Sequence, residues 1–80
     1  MLDILLVDDE PSIRLSVGDT LRAQGYRVTL ACDGAEALAL VQAQTFDVVI
    51  SDVRMPKLDG LSLFRKILTT SPGTDVILIT

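Results

Sequence analysis

Three short apolar runs recur along the chain, and each stops at polar residues. Ile4-Leu5-Leu6-Val7 runs into Asp8, Asp9 and Glu10, Val48-Val49-Ile50 runs into Ser51-Asp52, and Val76-Ile77-Leu78-Ile79 runs into Thr80. None alternates apolar with polar. Continuous β-branched runs of this length suit strands covered on both faces, as in parallel sheets. Residues 27–31 form a weaker, alternating fourth candidate.

The segments between the runs carry helical spacing. Pro11 suits a first helical position, Ile13, Val17 and Leu21 follow at i, i+4 and i+8, and Gly25 suits the cap beyond the last turn. Asp33 and Glu36 have capping-box spacing, with Asp in the place of Ser or Thr, ahead of Leu38 and Val41. Asp59-Gly60 reads as a turn into a third helix with Leu61, Phe64, Ile67 and Leu68 on one face, and Pro72-Gly73 ends that unit. The expected strands lie at about 3–7, 27–31, 46–52 and 75–80, and the helices at about 11–24, 34–44 and 60–70. Strand–helix alternation implies right-handed crossovers and an α/β, doubly wound parallel sheet with helices on both faces.

Composition narrows the class. Eighty residues make one domain, and 49% apolar residues with a mean hydropathy of +0.45 argue against disorder. One cysteine and no histidine leave neither a disulfide within the chain nor a zinc site. Cys32 is expected to be a packing residue in a reducing compartment, with no histidine to activate it. The net charge of −4 opposes nucleic-acid binding, and Tyr26, Phe46 and Phe64 are not interleaved with Arg or Lys. No run approaches the roughly 18 apolar residues of a membrane span. The first apolar run follows no basic region and is cut off by acids, so it does not read as a signal peptide. A cytoplasmic location is the expectation.

Ligands of open α/β sheets collect at the carboxyl ends of the strands. If the first and third strands are neighbours, Asp8, Asp9 and Asp52 face one crevice. Three carboxylates together need a raised pKa or a bound cation. Oxygen-only ligands favour a hard ion such as Mg²⁺, which also offsets charge on a transferring phosphoryl group. Taken singly, each residue has a plainer reading. Asp9 or Glu10 caps the first helix, Asp52 is a loop acid, Thr80 is a strand residue and Met55-Pro56 is a turn. The ordered set outweighs these.

Leu-Leu-Val-Asp-Asp-Glu (5–10), Val-Val-Ile-Ser-Asp-Val-Arg-Met-Pro (48–56), Leu-Asp-Gly (58–60) and Ile-Leu-Ile-Thr (77–80) together resemble the receiver domains of two-component response regulators. Asp-Val-Arg-Met-Pro further resembles receivers of nitrogen-regulator-type transcription activators. The resemblance implies a flavodoxin-like (CheY-like) sheet of order 2-1-3-4. It implies that Asp52 is the phosphoacceptor for a sensor histidine kinase. It also implies that Asp9, Asp52 and the Arg54 backbone carbonyl ligate Mg²⁺, that Asp8 acts mostly through water, and that Thr80 contacts the phosphoryl group as the switch hydroxyl. Such a protein accepts a phosphoryl group rather than acting as an enzyme.

The family also carries a lysine at the end of a fifth strand. Residues 1–80 are therefore expected to form a receiver lacking that strand and the last two helices. Lys57 and Lys66, the only lysines, fall in the wrong elements. The fourth strand then becomes an unprotected apolar edge, and pairing through it or exchange of elements between chains is expected. Two other functions compete. One is a binding or dimerisation module that uses the fold without phosphorylation. The other is a phosphohydrolase with an aspartyl nucleophile after the first strand, but those enzymes space two acids by one residue and follow them with Thr or Val, a pattern that Asp8-Asp9-Glu10-Pro11 lacks.

Overall fold

The apolar runs form parallel strands, and the helical segments connect them. A computed structural model describes residues 1–54 and 58–79. The elements run β1 (Asp3–Val7), α1 (Pro11–Ala23), β2 (Arg27–Ala31), α2 (Gly34–Ala43), β3 (Val48–Asp52), α3 (Gly60–Thr70) and β4 (Asp75–Ile79). All strand pairs are parallel, in the order β2-β1-β3-β4. The expectations for Met55-Pro56, Lys57 and Thr80 lie outside the described residues.

The continuous apolar run of β1 fits a strand covered on both faces. Ile4, Leu6 and Val28, with half-buried Leu30, Val48 and Ile50, pack against Val17 and Leu21 of α1. Leu5, Val7, Ala31 and Val49 point the other way and share a core with Ala37 and Val41 of α2, Phe46, and Leu63 and Ile67 of α3. Successive strand residues thus enter two different cores.

Local signals set the helix ends. Glu10 caps α1 by accepting from the Ser12 N–H and hydroxyl. Glu10 is therefore the cap, which leaves Asp9 free of that role. At the other end Gly25, at φ 93°, donates to the Arg22 carbonyl while Tyr26 donates to Leu21, the paired bonds of a Schellman motif. The Asp33–Glu36 box forms in a shifted version. Asp33 accepts from the Glu36 N–H, but the Glu36 carboxylate reaches back to the N–H of Cys32. Asp59 caps α3 through the Ser62 N–H.

Three expectations are corrected. The buried stripe of α1 is rotated, so that Ile13 is 49% exposed while Gly18 is buried against Leu30. The face of α3 is rotated likewise. Gly60, Leu63 and Ile67 are buried, whereas Leu61 and Leu68 are exposed. Spacing shows that a helix has an apolar side, but close packing at Gly18, on the Leu30 side chain, and at Gly60, on the Asp52–Val53 backbone, sets its rotation. Cys32 is exposed rather than packed, because β2 ends at Ala31 and the chain leaves the sheet there.

Among the described residues β4 pairs with β3 alone. Ile77 is 50% exposed and Ile79 41%. No helix among the described residues is long and apolar enough to cross a membrane.

Candidate functional site

The register of β1 against β3 brings the acids together. Ile4 pairs with Val48 and Val7 with Ser51, so the next step along both strands places Asp8 beside Asp52. Carboxylate oxygens of Asp8, Asp9 and Asp52 all lie within 4.8 Å of one another, the one such group among the described residues. Asp8 is 4% exposed, Asp52 is half-buried and Asp9 is exposed, so the cluster opens from the sheet toward solvent.

Asp8 and Asp52 are held in the same way. An oxygen of Asp8 accepts from the Glu10 N–H at 2.9 Å, and an oxygen of Asp52 accepts from the Arg54 N–H at 3.0 Å. Each is a bond from an aspartate to the backbone two residues on, the turn geometry that short acidic side chains favour. Among the described residues no other donor reaches either carboxylate.

Glycines hold the loop after β3 close to this pocket. The Gly60 N–H donates to the Val53 carbonyl at 3.0 Å, and Gly60 packs on the backbone of Asp52 and Val53. Gly34 at the start of α2 packs on the Leu58 carbonyl with no space for a side chain. The Val53 N–H donates to the Ile79 carbonyl at 3.0 Å, which ties the loop to β4.

The charge of Glu10 is also fixed. The Ser12 hydroxyl and N–H, with Arg14 nearby, hold its carboxyl below its ordinary pKa. For the acid cluster the donor chemistry is decisive. Carboxylates this close repel by roughly 3 kcal/mol per pair near a protein surface. Only oxygens are offered, which suits a hard divalent cation, and a span of 4.8 Å is close to twice a Mg²⁺– or Ca²⁺–oxygen distance of about 2.0–2.6 Å.

Arg14 was not singled out by the sequence. Its Nη1 donates to the backbone carbonyl of Asp8 at 2.7 Å in a half-buried setting. A signal was present: Arg14 lies in the first turn of α1, and helical side chains lean toward the helix N-terminus, here toward Asp8. A separate groove of about 370 Å³ between α2 and α3, lined by Leu38, Gln42, Arg65, Lys66, Thr69 and Thr70, contains none of these acids.

A parallel α/β sheet with an acidic cluster at its carboxyl end defines a class of doubly wound domains with an oxygen-only site at the strand ends. Residues 4–80 match the response regulator receiver domain, and the chain belongs to that family. It is 43% identical over 77 residues to the transcriptional regulatory protein GlrR of Escherichia coli and to the C4-dicarboxylate transport transcriptional regulatory protein DctD of Rhizobium meliloti. Each match covers 96% of this chain and 17% of the regulator. Among solved structures, the response regulator TrrA of Thermotoga maritima in complex with Mg²⁺–BeF superposes with a TM-score of 0.93 at 37% identity, over 98% of this chain and 68% of that one. The receiver domain of a Pseudomonas aeruginosa sensor histidine kinase, with magnesium coordinated in its active-site cleft, gives 0.92 at 38% identity, over 99% and 66%. A complex of the histidine kinase ThkA with TrrA gives 0.93 at 38%, over 100% and 69%.

Proposed function

We propose that the chain is a phosphoacceptor switch of a two-component system, taking a phosphoryl group on Asp52 from the phosphohistidine of a sensor kinase. The observation that carries this reading is the meeting of Asp8, Asp9 and Asp52 at the ends of adjacent strands in a member of the receiver family. Mg²⁺ is the proposed cation, and the magnesium in related receivers supports it. Asp9, Asp52 and the Arg54 carbonyl would hold it directly, with Asp8 acting through water. When bound, the ion would offset negative charge on the phosphoryl oxygens.

This chain's residues then do the positioning. The Arg54 N–H orients the Asp52 carboxylate, and a free oxygen of Asp52 attacks phosphorus in line. The O–P bond forms as the P–N bond breaks, and the imidazole leaves with the electron pair. Thr80 donates its hydroxyl to a phosphoryl oxygen. The chain is an acceptor, not an enzyme with a turnover of its own, and it works in the cytoplasm. The kinase bound to a related receiver supports the partner.

The test is labelling by acetyl phosphate and Mg²⁺. Wild type takes up one phosphoryl group and Asp52→Asn does not. Equal labelling of the two removes Asp52 from this role.

A second reading rests on β4. Among the described residues that strand pairs on one side only and half-exposes Ile77 and Ile79, which favours self-association through β4 or exchange of elements between chains. On this reading the chain is a binding or dimerisation module. Sedimentation then gives the same oligomer with and without Mg²⁺ and phosphodonor, and a monomer at high concentration overturns it.

A further inference from the structure

We propose that Arg14 is a positioning residue of the acidic pocket, one that fixes how Asp8 and Asp9 approach a divalent cation and thereby favours Mg²⁺ over Ca²⁺. The inference rests on the cation-binding reading of that pocket.

The loop from β1 to α1 is a short closed circuit. The Asp8 N–H donates to the Ala31 carbonyl of β2 at 3.2 Å. The Asp8 side chain accepts from the Glu10 N–H, and Glu10 accepts from the Ser12 N–H and hydroxyl. The Arg14 N–H donates to the Glu10 carbonyl at 3.0 Å. The Arg14 guanidinium then closes the circuit by returning to the Asp8 carbonyl at 2.7 Å.

That last bond has a particular consequence. The Asp8 carbonyl and the Asp9 N–H share one planar peptide unit, so fixing the oxygen fixes the plane from which Asp9 departs. Asp9 is exposed, and none of the side-chain hydrogen bonds that hold Asp8 and Asp52 reaches it. Its direction is set through its backbone, and Arg14 holds that backbone from α1. The guanidinium is charged at all relevant pH, and a charge-assisted bond is the stronger kind.

Two effects of Arg14 oppose each other. Its charge repels a cation nearby, whereas its hydrogen bond preorganises the ligands. The sign of a substitution separates them. Mg²⁺ needs near-octahedral geometry, while Ca²⁺ tolerates a looser set of oxygens. Loss of positioning therefore weakens Mg²⁺ more than Ca²⁺, and loss of charge alone tightens both.

The experiment is calorimetric titration of the folded protein with Mg²⁺ and with Ca²⁺, for wild type, Arg14→Met and Arg14→Lys. Arg14→Met is expected to weaken Mg²⁺ binding about 10-fold, the usual effect of losing a group that orients a metal ligand, and Ca²⁺ binding about threefold or less. Arg14→Lys keeps the charge but not the planar fork, and falls between. Unchanged or tighter Mg²⁺ binding in Arg14→Met overturns the proposal, as does an equal loss for the two ions. If Arg14→Met does not fold, Arg14→Lys decides alone: a reduced Mg²⁺/Ca²⁺ preference supports the proposal, and a wild-type preference overturns it. Failure of wild type to bind Mg²⁺ at all instead counts against the cation-binding reading.

Discussion

Gly60 lies so close to Asp52 that a Cβ added to it stands 2.5 Å from the Asp52 carbonyl oxygen and 2.9 Å from the Val53 Cα. Both obstacles are backbone, so no side chain can turn aside to make room. Relief requires moving the end of β3 that carries the acid. Gly60→Ala is expected to destabilise the fold by about 2 kcal/mol, as overpacking does. It should also weaken Mg²⁺ binding. Urea unfolding and a Mg²⁺ titration check the two effects, and a wild-type midpoint with wild-type affinity contradicts the close approach.

Gly25 is a contrasting case. A Cβ there meets nothing within 4 Å, but the backbone sits at φ 93°. Gly25→Ala is therefore expected to cost about 1 kcal/mol, wholly from the left-handed backbone, and to leave Mg²⁺ affinity unchanged. Gly25→Asn should cost less. Urea midpoints of the two variants rank the effect.

Mg²⁺ should stabilise the folded chain by occupying the cluster of Asp8, Asp9 and Asp52. At a Mg²⁺ concentration about 100 times its Kd the gain is about 2.7 kcal/mol, and EDTA removes it. Asp9→Asn is expected to lose most of this gain. Without metal the same variant should be no less stable than wild type, since one of three repelling charges is gone. Melting temperatures with Mg²⁺ and with EDTA separate the two effects.

Acid should weaken the fold partly through its helix caps. The Ser12 hydroxyl and N–H, with Arg14, lower the Glu10 pKa. The Ser62 N–H and hydroxyl, then the Leu61 N–H and Arg65, lower that of Asp59. A lowered pKa means that the folded state binds fewer protons than the unfolded chain. The stability this confers is present above the unfolded carboxyl range of about 4 and is lost as pH falls through the folded values. Unfolding free energy should thus decline below about pH 5. The double variant Glu10→Gln, Asp59→Asn should decline less steeply, and an unchanged slope rules the caps out.

Local chemistry was legible where one short segment decided the outcome. Pro11, Gly25, the Asp33–Glu36 pair and Asp59 marked the helix ends because capping bonds join residues a few positions apart. Helix rotation was not legible. Ile13, Leu61 and Leu68 have the spacing of core residues yet are about half exposed, because contacts with residues distant in sequence, the Leu6 and Leu30 side chains for α1 and the Asp52–Val53 backbone for α3, set the rotation of each helix. Cys32 was misread because residue type alone cannot tell the last strand position from the first loop position. Arg14 was missed because its partner is a main-chain oxygen, which carries no mark in sequence.

By itself the sequence determined the order of strands and helices and placed an acid at the end of β1 and another at the end of β3. Those features follow from backbone preferences and short-range hydrogen bonds. Only the tertiary structure decided that Asp8 and Asp52, 44 positions apart, stand side by side, with Asp9 joining them. That meeting depends on β1 lying next to β3 in one register, and the register comes from burial of two cores shared by the whole chain.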